Sequence, residues 1–131
     1  MMFLMLLITT LDNENQWSDL ISSKLRNSER EVRMSNGTRA DIIDYNNNIT
    51  YEVDWDRKFY EGVGQSQYYS MMYSSQKRKY RPGLILLVKD TSDLKYAWRA
   101  SMLCHELEIK LVLVDVTRGV MYSESKKERV K

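Results

Sequence analysis

Residues 38–69 read TRADIIDYNNNITYEVDWDRKFYEGVGQSQYY, and this stretch decides the fold. Two runs rich in β-branched and aromatic residues, at 38–45 and 49–55, predict a pair of strands. The run Asn46-Asn47-Asn48 between them is typical of a turn. We expect residues 56–75 to follow as one long helix. The stretch therefore predicts two antiparallel strands followed directly by a helix.

The sequence on both sides supplies the remaining elements. The dipeptide Asn36-Gly37 is a strong hairpin signal, so we expect a strand just before it. Arg81-Pro82-Gly83 breaks the chain before an apolar run that is typical of a strand buried on both faces. The flanking elements that we predict are a helix capped by Asp12 or Asn13 and ending near residue 26, a strand at 30–35, a strand at 84–89, a helix capped by Thr91 or Ser92 and ending near residue 106, and a last strand at 109–116.

The predicted order is helix, three-strand meander, helix, strand, helix and strand. Helical crossovers place the later strands parallel in one sheet and cover its faces. The fold class that we predict is therefore α/β, a three-layer sandwich with a mixed central sheet. A chain of 131 residues has the length of one domain, which we assign to residues 1–131, with a basic tail at 118–131.

The chain begins with the apolar run MMFLMLLI, within the segment 1–12. This run has no basic start and no small-residue cleavage site, and about 20 apolar residues are needed to cross a bilayer. We therefore expect neither a signal peptide nor a membrane span. We expect the segment to pack on the domain or to form the interface of a homodimer.

Composition and charge exclude several classes of function. The chain is 43% hydrophobic and 29% charged, as globular proteins are. Its single Cys forms no internal disulfide, which favours a cytoplasmic, reducing compartment, and its single His excludes a His-rich zinc site. Acidic residues prevail at 41–61, whereas basic residues prevail at 24–39, 76–81 and 118–131. This distribution suits a metal-dependent enzyme acting on a phosphate backbone, and ordinary solvated faces would also produce it.

Two carboxylates share one face of the strand predicted at 49–55. Because side chains alternate along a strand, Glu52 and Asp54 lie with Thr50 on one face, while residues 51, 53 and 55 pack on the core. Asp41, near the start of the neighbouring predicted strand, comes within metal-sharing distance of Glu52. Crowded carboxylates are costly unless a cation neutralises them, and hard oxygen ligands favour Mg²⁺ or Mn²⁺.

The helix predicted at 56–75 carries a polar stripe. At about 100° per residue, Lys58, Gln65 and Tyr69 fall on one side of it. Gly62 and Gly64 are poor helix formers, and two of them in mid-helix indicate a close approach to the sheet or to a ligand. We expect the stripe to project over the carboxylates.

These residues, in this order, resemble the PD-(D/E)XK nuclease superfamily, and within it the RecB-like and Holliday-junction-resolvase-like branches. The restriction-endonuclease-like core of that superfamily runs αβββαβ, and here a helix and a strand follow. Asp41 is similar to its metal-binding Asp, and Glu52 is similar to the acidic residue of its (D/E)-x-K element. Gln65 and Tyr69 are similar to the Q-h-x-x-Y motif of RecB-like members. Glu14 on the first helix is similar to an acidic residue that some members carry there.

The chain departs from the superfamily pattern at Asp54, which stands where the (D/E)-x-K element has lysine. Some members carry the lysine on the following helix, and Lys58 is the natural substitute here. The resemblance covers residues 13–116.

The resemblance implies hydrolysis of DNA phosphodiester bonds by an endonuclease or a resolvase-like enzyme. Mg²⁺, or Mn²⁺ in its place, would be held by Asp41, Glu52 and the Val53 carbonyl, with Asp54 as a further ligand or an orienting group. Lys58 would orient the attacking water and stabilise developing negative charge. The pair Gln65 and Tyr69 would position the lysine or the DNA strand.

Contacts to the DNA backbone are predicted for two basic groups, which ordinary surface charge would also explain. They are Arg26, Arg30, Arg33 and Arg39, and Lys77, Arg78 and Lys79. The alternative function is a degenerate module of the same fold that binds DNA or a protein partner without cutting, and Asp54 in place of lysine is its main support. The sequence leaves DNA and RNA undistinguished as substrates.

Overall fold

The structure is a computed structural model that describes residues 13–34, 36–76, 79–123 and 126–130. The N-terminal apolar run, Lys77 and Arg78 lie outside these ranges. The elements within them are α1 (Glu14–Lys24), β1 (Ser28–Arg33), β2 (Arg39–Asp44), β3 (Ile49–Trp55), a 3₁₀ turn (Asp56–Lys58), α2 (Phe59–Gln76), β4 (Arg81–Val88), α3 (Lys95–Glu106), β5 (Lys110–Asp115), β6 (Val120–Ser123) and β7 (Lys126–Arg129).

The strands form one seven-stranded mixed sheet in sequence order, β1 to β7. The first three strands are an antiparallel meander, β4 and β5 are parallel to β3, and β6 and β7 return antiparallel. Helix α2 connects β3 to β4 and α3 connects β4 to β5, as parallel neighbours require. The predicted α/β class and mixed central sheet are confirmed.

Helices cover both faces of the sheet, which makes three layers. On one face, Trp17 and Ile21 of α1 are fully buried in a cluster with Tyr51 and Val53 of β3. On the other face, α2 and α3 share a second cluster with β4, in which Leu84 is fully buried. The division of β3 into an apolar face and a polar face therefore follows the predicted alternation.

The strand predicted at 109–116 forms as β5, but it is not the last strand, and residues 118–123 and 126–130 do not form the predicted tail. Asp115 accepts the backbone N–H groups of Thr117 and Arg118, and Gly119 adopts a left-handed φ of 65°, so the chain turns back. Two more strands then pair at the sheet edge, and Val130 after them is 1% exposed.

Helix starts and strand bounds differ from the sequence predictions in small ways. Asn13 caps α1 as predicted, accepting the N–H of Gln16 at 2.9 Å. Helix α3 begins at Lys95 and not at a Thr91 or Ser92 cap, because Asp90 accepts the N–H of Ser92 and holds a separate turn before the helix. Strand β1 begins two residues early and β4 three residues early.

Candidate active site

The antiparallel ladder between β2 and β3 ends at Asp41. The two strands pair from Asp44↔Ile49 to Ile42↔Tyr51 and then separate, although each continues for several residues. Beyond that point the Asp41 carboxylate accepts the backbone N–H of Val53 at 2.9 Å. A side chain thus replaces the ladder hydrogen bond, and the sheet opens beside the predicted metal ligands.

The β1 side of Asp41 is also irregular. Pairing runs from Arg30↔Ile42 to Val32↔Ala40 without a Glu31–Asp41 pair, and Glu31 has a left-handed φ of 50°. The Arg30 guanidinium donates to the Asp41 carbonyl at 2.7 Å instead. Both backbone and side chain of Asp41 are therefore held by groups other than its regular ladder partners.

Arg30 joins this site to α1. Its guanidinium also donates to Asp19 at 2.9 Å and to Asn15 at 3.3 Å, and its side chain is only 18% exposed. These contacts with Asp19 and Asn15 tie α1 to β1 next to Asp41. Arg30 is thus engaged within the chain, and its predicted contact with DNA stays a prediction.

Glu52 is a buried carboxyl group with little compensation. It is 4% exposed, and its Oε1 has no hydrogen-bond partner. Its pKa is raised to about 10, first by burial, then by the negative charge of Asp41 and a hydrogen bond with the Asp41 side chain, with Asp54 adding less. A buried charged group without a partner is costly, so this position favours either a proton or a cation.

Asp54 forms the second part of the acidic cluster. It is 7% exposed, and burial raises its pKa to about 7, with Glu14 as the next cause and smaller effects from Asp41 and Glu61. Glu14 therefore lies beside the site, where the resemblance places an acidic residue. Sequence reasoning missed Glu61, because only the approach of α2 to β3 brings it near Asp54.

Gly62 marks that approach. A Cβ atom at Gly62 would lie 2.6 Å from Cδ1 of Leu84 and 3.0 Å from Oδ2 of Asp54, so α2 rests directly on the acidic face of β3. A Cβ atom at Gly64 would meet nothing within 4 Å. The predicted close approach to the sheet is therefore confirmed for Gly62, and Gly64 does not approach the sheet.

The polar stripe of α2 reaches the site through Tyr69. Burial raises the pKa of Tyr69, and the negative charges of Glu52 and Asp41 add to the shift, which places the phenol close to that pair. Gln65 and Lys58 have exposed side chains. Lys58 lies in the 3₁₀ turn before α2, where the rotation per residue differs from that of the α-helix on which the stripe was based.

Oxygen donors are the ligands that this cluster offers a cation. Among the residues that the structure describes, no three His, Cys, Asp or Glu side chains already converge as a metal-binding group. The carboxylates instead interact in two neighbouring pairs, Asp41 with Glu52 and Asp54 with Glu14. The unpartnered Oε1 of Glu52 and the mutual repulsion of the pairs fit a hard divalent cation with oxygen ligands.

The other basic residues predicted to contact DNA lie mostly at the surface. Arg39 is half exposed and pairs with Glu31 at 3.7 Å. The exposed members of the set are Arg26, Arg33, Arg39 and Lys79.

Comparisons of the chain with protein families, with curated proteins and with solved structures find no match. Within the described residues, no helix is both long enough and apolar enough to cross a membrane.

Proposed function

We propose that this protein is a Mg²⁺-dependent nuclease that hydrolyses phosphodiester bonds in DNA. The observation that carries the proposal is Glu52, a buried carboxyl group with an unpartnered oxygen, next to Asp41 at the point where the β2–β3 ladder opens. Asp41 accepts the N–H of Val53, but Oε1 of Glu52 has no partner within the fold, and a cation would offset the repulsion between the two carboxyl groups.

Asp41, Glu52 and the Val53 carbonyl would hold the cation, with Asp54 as a further oxygen donor. When bound, a divalent cation polarises a phosphate and lowers the pKa of a coordinated water. The residues of the chain provide the remaining functions. Tyr69, whose pKa is raised by burial and by the negative charges of Glu52 and Asp41, would orient the nucleic-acid strand together with Gln65. Lys58 would stabilise the charge that develops on the phosphate.

Cleavage assays with purified protein test this proposal. Single-stranded, duplex and four-way-junction DNA, with an RNA strand for comparison, are incubated with Mg²⁺, Mn²⁺ or EDTA. We expect cleavage only with metal, and its loss by more than about a hundredfold in Asp41→Asn and Glu52→Gln, since changes in groups that merely orient metal ligands already cost up to that factor.

Matched variants separate the site from the rest of the surface. Lys58→Ala should reduce the rate strongly, whereas Lys110→Ala, a lysine at the opposite end of the parallel strands, should leave it unchanged. Cleavage that survives Asp41→Asn, or that proceeds in EDTA, would refute the metal-dependent mechanism. Cleavage lost in Asp41→Asn but kept in Lys58→Ala would remove only the role given to the lysine.

A second candidate is the degenerate binding module. The charges with the largest effects on the pKa of Glu52 and Asp54 are all carboxylates, and Asp54 stands in place of lysine. In that case the folded protein would bind DNA or a protein in EDTA and cut no nucleic acid.

The oligomeric state belongs to the same proposal. Cutting both strands of a duplex or a junction favours two copies of a chain with one site, so we propose a homodimer in the cleavage complex. Light scattering of the protein alone and with junction DNA tests this stoichiometry.

A further inference from the structure

A cleft lies beside the acidic cluster, at the carboxyl ends of β3 and β4. Trp55 and Arg57 line it from the end of β3 and the 3₁₀ turn, Lys89 from the end of β4, and Tyr96 from the first turn of α3. Its volume is about 490 Å³, within the range of small-molecule sites. The carboxyl ends of parallel strands are the usual place for ligands in open α/β sheets.

Aromatic and cationic side chains alternate around this cleft. The Lys89 ammonium lies 5.0 Å from the centroid of the Trp55 ring, and Cζ of Arg57 lies 5.8 Å from the centroid of the Tyr96 ring. The Lys95 ammonium at 5.2 Å and Cζ of Arg99 at 5.8 Å also lie near the Tyr96 ring centroid. Both rings are only partly buried, so each keeps a part exposed toward the cleft while the cations hold it in place.

Acidic groups in the cleft argue against a pocket for phosphate alone. Three carboxylates also line it, those of Asp56, Asp90 and Asp93. Asp90 accepts the N–H of Ser92, and Asp93 pairs with Lys95 at 3.8 Å. A phosphate placed among these carboxylates would be repelled. A flat, uncharged ring between the aromatic side chains, with its flanking phosphates on Arg57 and Lys89, fits the charges.

We propose that this cleft binds an unpaired nucleobase of a single-stranded nucleic acid by stacking on Trp55 and Tyr96. The inference rests on the proposed function, because Trp55 follows Asp54 and Arg57 precedes Lys58 in the chain. A base held here would belong to a nucleotide close to the phosphate at the acidic cluster. Stacking tolerates any base, so the cleft would select unpaired strands by structure and not by sequence.

Binding in EDTA tests the cleft without any cleavage. The probe is a fluorescein-labelled single-stranded oligodeoxynucleotide, compared with an abasic strand of equal length, a duplex and a mononucleotide. We expect the single strand to bind most tightly and Tyr96→Leu and Trp55→Leu to weaken its binding about tenfold each, in line with base–aromatic stacking. Trp98→Leu is the matched control, because Trp98 is an exposed aromatic of α3 that does not line the cleft.

Tryptophan fluorescence adds an independent reading. In a Trp98→Phe background, Trp17 is fully buried, so quenching by the oligonucleotide reports on Trp55. Equal affinity for the abasic strand, unchanged affinity of Tyr96→Leu, or absence of quenching would overturn the inference. Quenching by the mononucleotide at the same concentration as the strand would identify a free-nucleotide site instead of a strand site.

The outcomes for the cleft and for the nuclease are distinguishable. A wild-type protein that binds single strands through Tyr96 but cuts no substrate with metal would keep the cleft and remove the nuclease. A wild-type protein that cuts DNA with metal, together with a Tyr96→Leu variant that binds single strands as tightly as wild type, would keep the nuclease and remove the role of the cleft.

Discussion

Two pairs of carboxyl groups are buried in this fold to a similar degree, and they differ in how they are satisfied. Asp44 and Asp115, at the ends of β2 and β5, are 2% and 4% exposed, while Glu52 and Asp54 on β3 are 4% and 7% exposed. Asp44 accepts the backbone N–H groups of Asn46 and Asn47 and the side-chain amide of Asn47. Asp115 accepts two backbone N–H groups and pairs with Arg118 at 3.5 Å.

The difference teaches that burial of an acidic residue does not by itself mark a site. The turn carboxylates complete local hydrogen bonding, so folding explains them. Glu52 has an unpartnered oxygen and faces other acidic groups, so folding does not explain it. For Glu52 and Asp54, an external ligand would offset the cost of burying the carboxyl groups.

The largest expected effect is a dependence of stability on pH that arises from Glu52. Its folded-state pKa is raised to about 10, so between its ordinary value and that pKa the folded protein binds a proton that the unfolded chain releases. The free energy of unfolding should therefore fall as pH rises, by at most about 1.4 kcal/mol per pH unit. Asp54, whose pKa is raised to about 7, adds a slope of the same sign below that pH. Urea unfolding from about pH 6 to about pH 8 measures it.

Glu52→Gln is the variant that isolates this effect. The groups facing Glu52 are Asp41 from β2, Asp54 on the same strand and Tyr69 from α2, and all remain in the variant. The slope above pH 7 should disappear, and the variant should be more stable than wild type at pH 8. Mg²⁺ should stabilise wild type at that pH and leave the variant almost unaffected. An unchanged slope in the variant would show that Glu52 is solvated and is not the strained group of the site.

The opposite sign is expected for Asp44→Asn, which makes the same change from carboxylate to amide. Both Asp44 oxygens accept hydrogen bonds, and Oδ2 receives the side-chain amide of Asn47 at 2.8 Å. An Asn amide would place a donor against one of these donors, so we expect a loss of about 1 to 3 kcal/mol throughout the same pH range. Thermal or urea unfolding checks it, and a stability equal to wild type would remove the contrast between the two pairs.

Local signals explain which parts of this molecule were predictable. The Asn13 cap, the Asn36-Gly37 hairpin and strand 49–55 depend on neighbouring residues, and all three form as predicted. The alternation along that strand also placed Glu52 and Asp54 on one buried face. Periodicity and turn chemistry thus determined the core elements and the central part of the candidate site.

Tertiary contacts explain what the sequence did not reveal. Strands β6 and β7 are only four residues each, and all four residues of β7 are charged, so neither strand stands out from a tail. The sequence presents Arg30 as a solvated cation, and only its contacts with Asp19, Asn15 and the Asp41 carbonyl show its structural role. Glu61 joins the acidic cluster because α2 rests on β3, a distance that no spacing in the sequence encodes.

The smallest effects, of opposite sign, are expected from alanine at the two glycines of α2. Gly62→Ala adds a methyl group against Leu84, which is fully buried, and against Asp54, so overpacking of about 1 to 3 kcal/mol exceeds the gain in helix propensity of about 1 kcal/mol. Gly64→Ala faces open space and should stabilise the protein by up to about 1 kcal/mol. Urea unfolding of both variants measures the difference. Gly62→Ala should also lower the cleavage rate, because it displaces the helix that carries Tyr69, whereas Gly64→Ala should leave the rate unchanged. Equal effects of the two variants on stability would mean that α2 does not touch Asp54.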